Sequence, residues 1–378
     1  MTMVSGIIDF FKPIPKQKSN VGWQNNQLDE ANPLSKEPLV SVGMFSEYPE
    51  VLSFPFFFGG CGISPWKVGE LKGALIAPLM RKSIAEDLVK LNENLPPRYK
   101  VVIIDAYRPE TVQTALFEQF KEKLIAPPFN RTEEEATKET QMYVSLPSRP
   151  NSPHMTGAAV DVAVVRFDEK SWDEMQVLTQ KVKELQKKNP DNFFVKEIIE
   201  TEMRRNQLLR EKGVLVDMGV RISEVKRDEK GRPLTALRYF EEREEEALAG
   251  MGPQLTEKER EALNNRRMLF NAAAAVGLGA YAEEFWHLGK NTKFQPPTDG
   301  SLPYYGYIEP SQQNMKHELM CRKLFDESVT TYKLAAEKGA RPLFKDVALA
   351  VFGNPEYRHP NNPCSPRIAP ALPSASPS

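Results

Sequence analysis

The sequence predicts a protein of mixed α and β structure, and three stretches carry that prediction. YKVVIIDAYRP (99–109) has an apolar core, VVII, bounded by polar residues and ending in a loop before Pro109, the pattern of a buried strand. AAVDVAVV (158–165) is a second central strand whose run of apolar residues is broken by one carboxylate, Asp161. Residues 168–212 are rich in Glu, Lys, Gln, Leu and Met with little Gly, which predicts one or two long helices with a break at Asn189-Pro190.

The remaining elements follow in order along the chain. Residues 1–36 mix Pro, Asn, Gln and Lys without periodicity and read as an arm that orders only by packing on something else. Between Pro38 and Trp66, SFPFFFGGCGISPW reads as buried loop or short strand, since so many Phe side chains seek cover. Residues 71–95 place Leu, Ile and Met at helical spacing and predict an amphipathic helix interrupted near Pro78. A helix is expected over 111–124, a strand over 213–225, and a solvated charged helix or loop at EEREEEA. TEKEREALNNRRMLFNAAAAVGLG (256–279) has a capping Thr256, helical periodicity and glycines at its end. YAEEFWHLG then reads as one short strand, and a further helix is expected over 311–338. The prolines of 359–378 preclude regular packing, which predicts a disordered tail or an extended ligand for an unknown partner protein.

Composition narrows the function classes. Among 378 residues, 50 Lys plus Arg balance 51 Asp plus Glu for a formal charge of -1, which argues against a nucleic-acid binder held by bulk charge. No stretch approaches the roughly 20 apolar residues of a membrane helix, so no membrane partner is expected. Three cysteines, Cys61, Cys321 and Cys364, lie far apart and form neither a disulfide framework nor a zinc knuckle. The N-terminus lacks a basic region before its short apolar run and meets Pro13 early, so no export signal is read and a reducing, cytoplasmic location is expected.

The chemistry centres on two of the four histidines. His154 lies in a loop and is followed, after Gly157, by Asp161 on an otherwise apolar strand. A buried carboxylate is costly unless it is paired or bound to a metal. His287 follows Glu284 by three residues in an aromatic setting, with Glu283 the more solvated neighbour. Two imidazoles and one carboxylate make three N/O ligands, the set that leaves a fourth zinc position open. On a regular strand Glu284 and His287 face opposite sides, so addressing one site together requires a bulge near Phe285. Bland alternatives stand beside these readings: Asp161 paired with a buried Arg, Glu284 a surface charge, Arg108 merely paired with Asp105, Trp286 in the core, and His317 and His359 on the surface.

SxHxxGxAxD (152–161), ExWH (284–287) and DAYRP (105–109) together resemble the zinc D-alanyl-D-alanine dipeptidases of the vancomycin-resistance type, which are related to D,D-carboxypeptidases. The resemblance runs over residues 37–295 and implies an α+β fold, a central, mainly antiparallel sheet flanked by helices, with a helical insertion (168–212) and irregular terminal extensions. It divides the chain into an arm (1–36), a zinc peptidase domain (37–295), a C-terminal helical extension (296–358) and the Pro-rich tail (359–378). It implies one Zn2+ per chain held by His154, Asp161 and His287, with Glu284 as general base and Arg108 steadying the oxyanion or anchoring substrate. Ser152 matches a polar contact either to the substrate or to a residue behind the site, and Trp286 is a candidate substrate wall. The family signature of Met-Gly, three residues and an ammonium-binding acid aligns Met218-Gly219 with Ser223, and Glu224 is displaced from the acid position by one residue. The expected activity is hydrolysis of a short peptide containing D-amino acids, foremost D-Ala-D-Ala. The alternatives are a carboxypeptidase or amidase acting on a larger or N-blocked peptide, and a non-catalytic metal-stabilised binding protein.

Overall fold

The computed structural model of the protein describes residues 8–17, 25–54, 57–58, 70–141, 144–147, 152–222 and 226–337. Its first half contains β1 (Leu39–Ser41), β2 (Leu52–Ser53), β3 (Leu79–Arg81), α1 (Lys82–Asn94), β4 (Tyr99–Asp105), α2 (Glu110–Ile125) and α3 (Glu133–Thr140). Then come β5 (Ala159–Arg166), α4 (Glu169–Lys188), α5 (Lys196–Lys212), β6 (Val214–Leu215) and α6 (Tyr239–Leu248). The last elements are α7 (Glu257–Ala274), β7 (Gly279–Tyr281), β8 (Glu284–Gly289) and α8 (Gln312–Glu337). The predicted strands at 99–109 and 158–165, the helix after Pro109, the paired long helices and the Thr256-capped helix are all present.

The two β-branched runs form the centre of a six-stranded sheet in the order β2-β4-β5-β8-β7, with β6 also on β5. Every pairing in it is antiparallel except β2 on β4. The second edge of β5 is shared, with β8 beside Ala159–Asp161 and β6 beside Val165–Arg166. Because side chains alternate along a strand, the sheet buries both faces. Val101, Ile103, Val160, Val162 and Val164 pack with Ile84, Leu88 and Leu91 of α1 and Leu269, Ala272 and Ala273 of α7. Val102, Ile104, Ala163 and Val165 pack instead with Phe167, Met175 of α4, and Leu208 and Leu209 of α5. Each such aliphatic side chain contributes about 1.5–3 kcal/mol by leaving water. Overall this is the α+β architecture expected.

Helix ends follow local chemistry. A capping box of Thr256 and Glu259 starts α7, and the Asp168 carboxylate accepts from the Ser171 N–H at the start of α4. The break between α4 and α5 falls at Pro190, which cannot continue a helix.

Described residues from before and after the central sheet are built into the fold. The Ile14 N–H donates to Glu241 (2.8 Å), and Arg238 donates to the Ile14 carbonyl (2.9 Å), which seats part of the arm on α6. Arg81, 1% exposed, donates to the carbonyls of Thr156 (2.8 Å), Ser35 (3.2 Å) and Gly306 (3.0 Å), tying the segments at Ser35 and Gly306 to the loop that carries His154. On α8, the buried Glu318 accepts the N–H groups of Ile76 (3.1 Å) and Ala77 (2.9 Å).

Several expectations are corrected. Residues 71–78 are not helical, because Pro78 lacks an N–H and Leu79–Arg81 pair with β1, so the helix begins only at Lys82. The strand expected over 213–225 shortens to Val214–Leu215, and the chain turns at Gly219, whose φ is 85°. YAEEFWHLG is a hairpin of β7 and β8 rather than one strand. The charged EEREEEA helix is partly buried, with Glu241 2% exposed and accepting two hydrogen bonds from Arg267. His317 stacks on Phe194 with ring centroids 5.3 Å apart rather than lying free on the surface. The Pro-rich tail, His359, Cys61, Cys364, Ser223, Glu224 and most of the SFPFFFGGCGISPW stretch lie outside the described residues.

Replacing Glu318 by Ala strands two buried N–H groups and is expected to cost about 2–3 kcal/mol, read as a lowered Tm. An unchanged Tm would remove this role. Burial holds the His317 imidazole down at about 4. Its folded pKa is depressed, so its contribution to stability is complete above about 6.5 and is lost as pH falls toward 4. Thermal melts across that window should fall less steeply for H317F than for the parent protein.

Candidate metal centre

The register of three strands builds most of the centre. Asp105 of β4 lies opposite Asp161 of β5, and Asp161 lies opposite His287 of β8, so the three form one rank across the sheet. His154 reaches that rank from a 3-10 turn, Pro153–Thr156, that follows Ser152 and ends at Gly157. Gly157 has φ 69°, and a Cβ there would lie 2.3 Å from Leu39 Cδ2, so only glycine allows the turn to sit against β1.

The expected distortion in β8 is present. Ala280 faces Leu288 while Tyr281 faces Glu284, which leaves Phe285, Trp286 and His287 as extra residues against β7. The bulge turns Glu284 and His287 toward one site, with Glu284 Oε2 4.0 Å from His287 Nδ1.

One ligand atom each from His154, Asp161 and His287 lies within 4.8 Å of the others, and all three residues are buried. His154 Nδ1 donates to the Ala106 carbonyl at 2.9 Å, since a carbonyl can only accept. That leaves Nε2 with its lone pair free, 3.5 Å from Asp161 Oδ1. The orienting bond to a backbone carbonyl is the support metal-binding imidazoles characteristically receive. His287 presents Nδ1, 3.0 Å from the same Asp161 oxygen, and the two imidazole rings stand 4.9 Å apart at 79°. The chemistry of the donor set, two nitrogens and one carboxylate oxygen converging in a buried pocket, fits a divalent cation.

The buried groups act strongly on one another. Burial pushes the Asp161 carboxyl up, but His154 and His287 together hold it far below the usual carboxylate range. Burial lowers the His287 imidazole, but the hydrogen bond to Asp161 and the charges of Asp161 and Glu284 together raise it on balance. Glu284 is pushed up to about 7 by burial and by the Asp161 charge.

Arg108 pairs with Asp105 and also stands near Asp161. Its Nε and Nη2 donate to Asp105 Oδ2 at 2.9 and 2.6 Å, while Nη2 also stands 3.8 Å from Asp161 Oδ2. Nη1 donates to Gln113 Oε1 at 2.7 Å, and the Ser152 hydroxyl reaches that same oxygen at 3.4 Å. The guanidinium is therefore locked beside the centre by Asp105 and Gln113. A small cavity of about 30 Å³, lined among others by Leu75, Asp105, Arg108 and Val112, opens next to it.

Gln113 was not legible as a site residue in the sequence, because a Gln on a helix gives no signal until β4 and α2 meet. Asp105 was legible only as a partner of Arg108. In the structure its Oδ2 also lies 3.3 Å from His154 Nδ1, so it stands against Arg108 and His154 together. Trp286 lies in the apolar cluster with Val160 and Leu288, its ring edge-on to Phe285 at 4.9 Å.

Residues 78–209 match the family model of VanY, the D-alanyl-D-alanine carboxypeptidases. The family resemblance read from the motifs is shown over that stretch, which contains Arg108, His154 and Asp161. Over residues 78–209 the chain is thus similar to the VanY family. Glu284 and His287 lie beyond the matched stretch and join its residues through the β5–β8 pairing. No curated protein matches the chain.

Asp105→Asn is expected to weaken metal binding by about 10–100-fold, because it removes charge from behind His154 and loosens Arg108. Competition against a chromophoric chelator measures this, and unchanged affinity would deny Asp105 the supporting role.

Proposed function

We propose that the protein is a zinc-dependent hydrolase of short peptides ending in D-alanyl-D-alanine. The observation that carries the reading is the convergence of His154 Nε2, Asp161 Oδ1 and His287 Nδ1 within reach of a carboxylate, Glu284, that is not needed as a ligand. Zinc held by those three residues would supply a Lewis acid that acidifies water and polarises the scissile carbonyl.

The residues of the chain do the rest. Glu284, with a proton affinity poised near neutrality, takes the proton of the attacking water and returns it to the leaving amine. Arg108 keeps a permanent positive charge beside the centre and offers it to the oxyanion or to a substrate carboxylate. Asp105 and Gln113 hold its fork in place, so that little reorganisation accompanies the reaction. Ser152, behind them, steadies Gln113.

The motif pattern favours free D-Ala-D-Ala as substrate. A second reading, a carboxypeptidase on a longer or N-blocked peptide, is favoured by the description of the matched family. The two differ in whether a free substrate ammonium is required.

Glu284→Ala should retain one zinc per chain while hydrolysis of D-Ala-D-Ala peptides falls by about 10²–10⁴-fold. Metal analysis together with turnover on free and N-acetylated LL and DD peptides checks this. Full turnover by the variant would defeat the peptidase assignment. Preference for the free dipeptide selects the first reading, and preference for the blocked peptide selects the second.

A further inference from the structure

The bulge that brings Glu284 and His287 to one side needs support, because Phe285, Trp286 and His287 have no opposite residues on β7. The Phe285 N–H donates instead to the Thr235 carbonyl at 3.1 Å. On either side of Thr235, the carbonyls of Leu234 and Ala236 accept from one guanidinium, that of Arg266 on α7, at 2.8 and 2.6 Å. The same fork donates twice to the Met218 carbonyl, at 3.0 and 2.7 Å. Its Cζ lies 4.6 Å from the ring centroid of Phe285 and 4.6 Å from that of Phe240.

Arg266 is 1% exposed, and among the described residues no carboxylate forms an ion pair with it. Burial pushes its pKa down to about 9. A charge buried without a counter-ion is costly, and an aliphatic side chain would fill the same space more cheaply. What an aliphatic side chain cannot do is bind three carbonyls from two segments while stacking on aromatic rings, which the planar guanidinium does.

We propose that Arg266 is a positioning residue for Glu284: by holding the 234–236 strip and the Phe285 ring, it keeps the β8 bulge open and the Glu284 carboxylate turned toward His287. The inference rests on the reading of Glu284 as the base. Arg266 touches neither the ligand atoms nor Glu284 itself and acts only through Thr235 and Phe285.

Arg266→Lys keeps the charge but loses the fork. With folding verified by circular dichroism, it should lower kcat by about 10²-fold with KM and zinc affinity unchanged, because the base is displaced while the ligands stay. Phe285→Leu, which keeps the buried volume apolar, should lower kcat in the same direction, and it carries the test if the lysine variant does not fold. Unchanged kcat in the folded variant, or zinc affinity falling in step with kcat, overturns the inference. Crystal structures of the parent and the variant test it without turnover. Glu284 swung away from His287 with His154 and Asp161 in place supports it, and an unmoved Glu284 overturns it, whether or not the protein cleaves peptides.

Discussion

The whole centre depends on one buried carboxylate. Asp161 interrupts a strand whose other residues, apart from Arg166 at its end, are apolar and buried, and an ion there is tolerable only because two imidazoles converge on it. Its position is set by antiparallel register. A one-residue slip of β5 against β4 or β8 would send its side chain to the opposite face, among the aliphatic residues packed on α1 and α7. The dense burial of Val160, Val162 and Val164 on one face and of Ala163 and Val165 on the other therefore protects the site as much as it stabilises the fold.

Around that carboxylate the supports are layered. Asp105 stands behind Arg108 and His154, Gln113 links Arg108 to Ser152, and the Ala106 carbonyl selects the tautomer of His154. Groups with several obligations at once cannot relax independently, so the guanidinium of Arg108 is held in a framework already in place. The terminal segments take part in this framework. Arg81 ties the segments at Ser35 and Gly306 to the His154 loop, and Glu318 ties α8 to the loop at Ile76 and Ala77, which lies next to the cavity beside Arg108.

Much of this was legible in the residues. The β-branched runs marked the central strands, Pro190 marked the helix break, and Thr256 with Glu259 marked a helix start, because each acts through local backbone chemistry. The same locality made the bulge in β8 predictable: Glu284 and His287 could not share a side of a straight strand. The misreadings came where partners far along the chain intervened. Leu79–Arg81 became a strand because β1 was there to pair with it, and Glu241 went inside because Arg267 and the Ile14 N–H were there to meet it.

The sequence by itself singled out His154, Asp161, His287, Glu284 and Arg108 as candidates for one site, since side-chain chemistry and short spacing are local properties. Tertiary structure alone decided that Asp105 would also reach His154, that Gln113 would hold Arg108, and that Arg266 would bind the carbonyls on either side of Thr235. Hydrogen bonds from a guanidinium to carbonyls of Met218, Leu234 and Ala236 join segments that only the packing of α7 on the sheet brings together, and no spacing rule records a contact made across that distance.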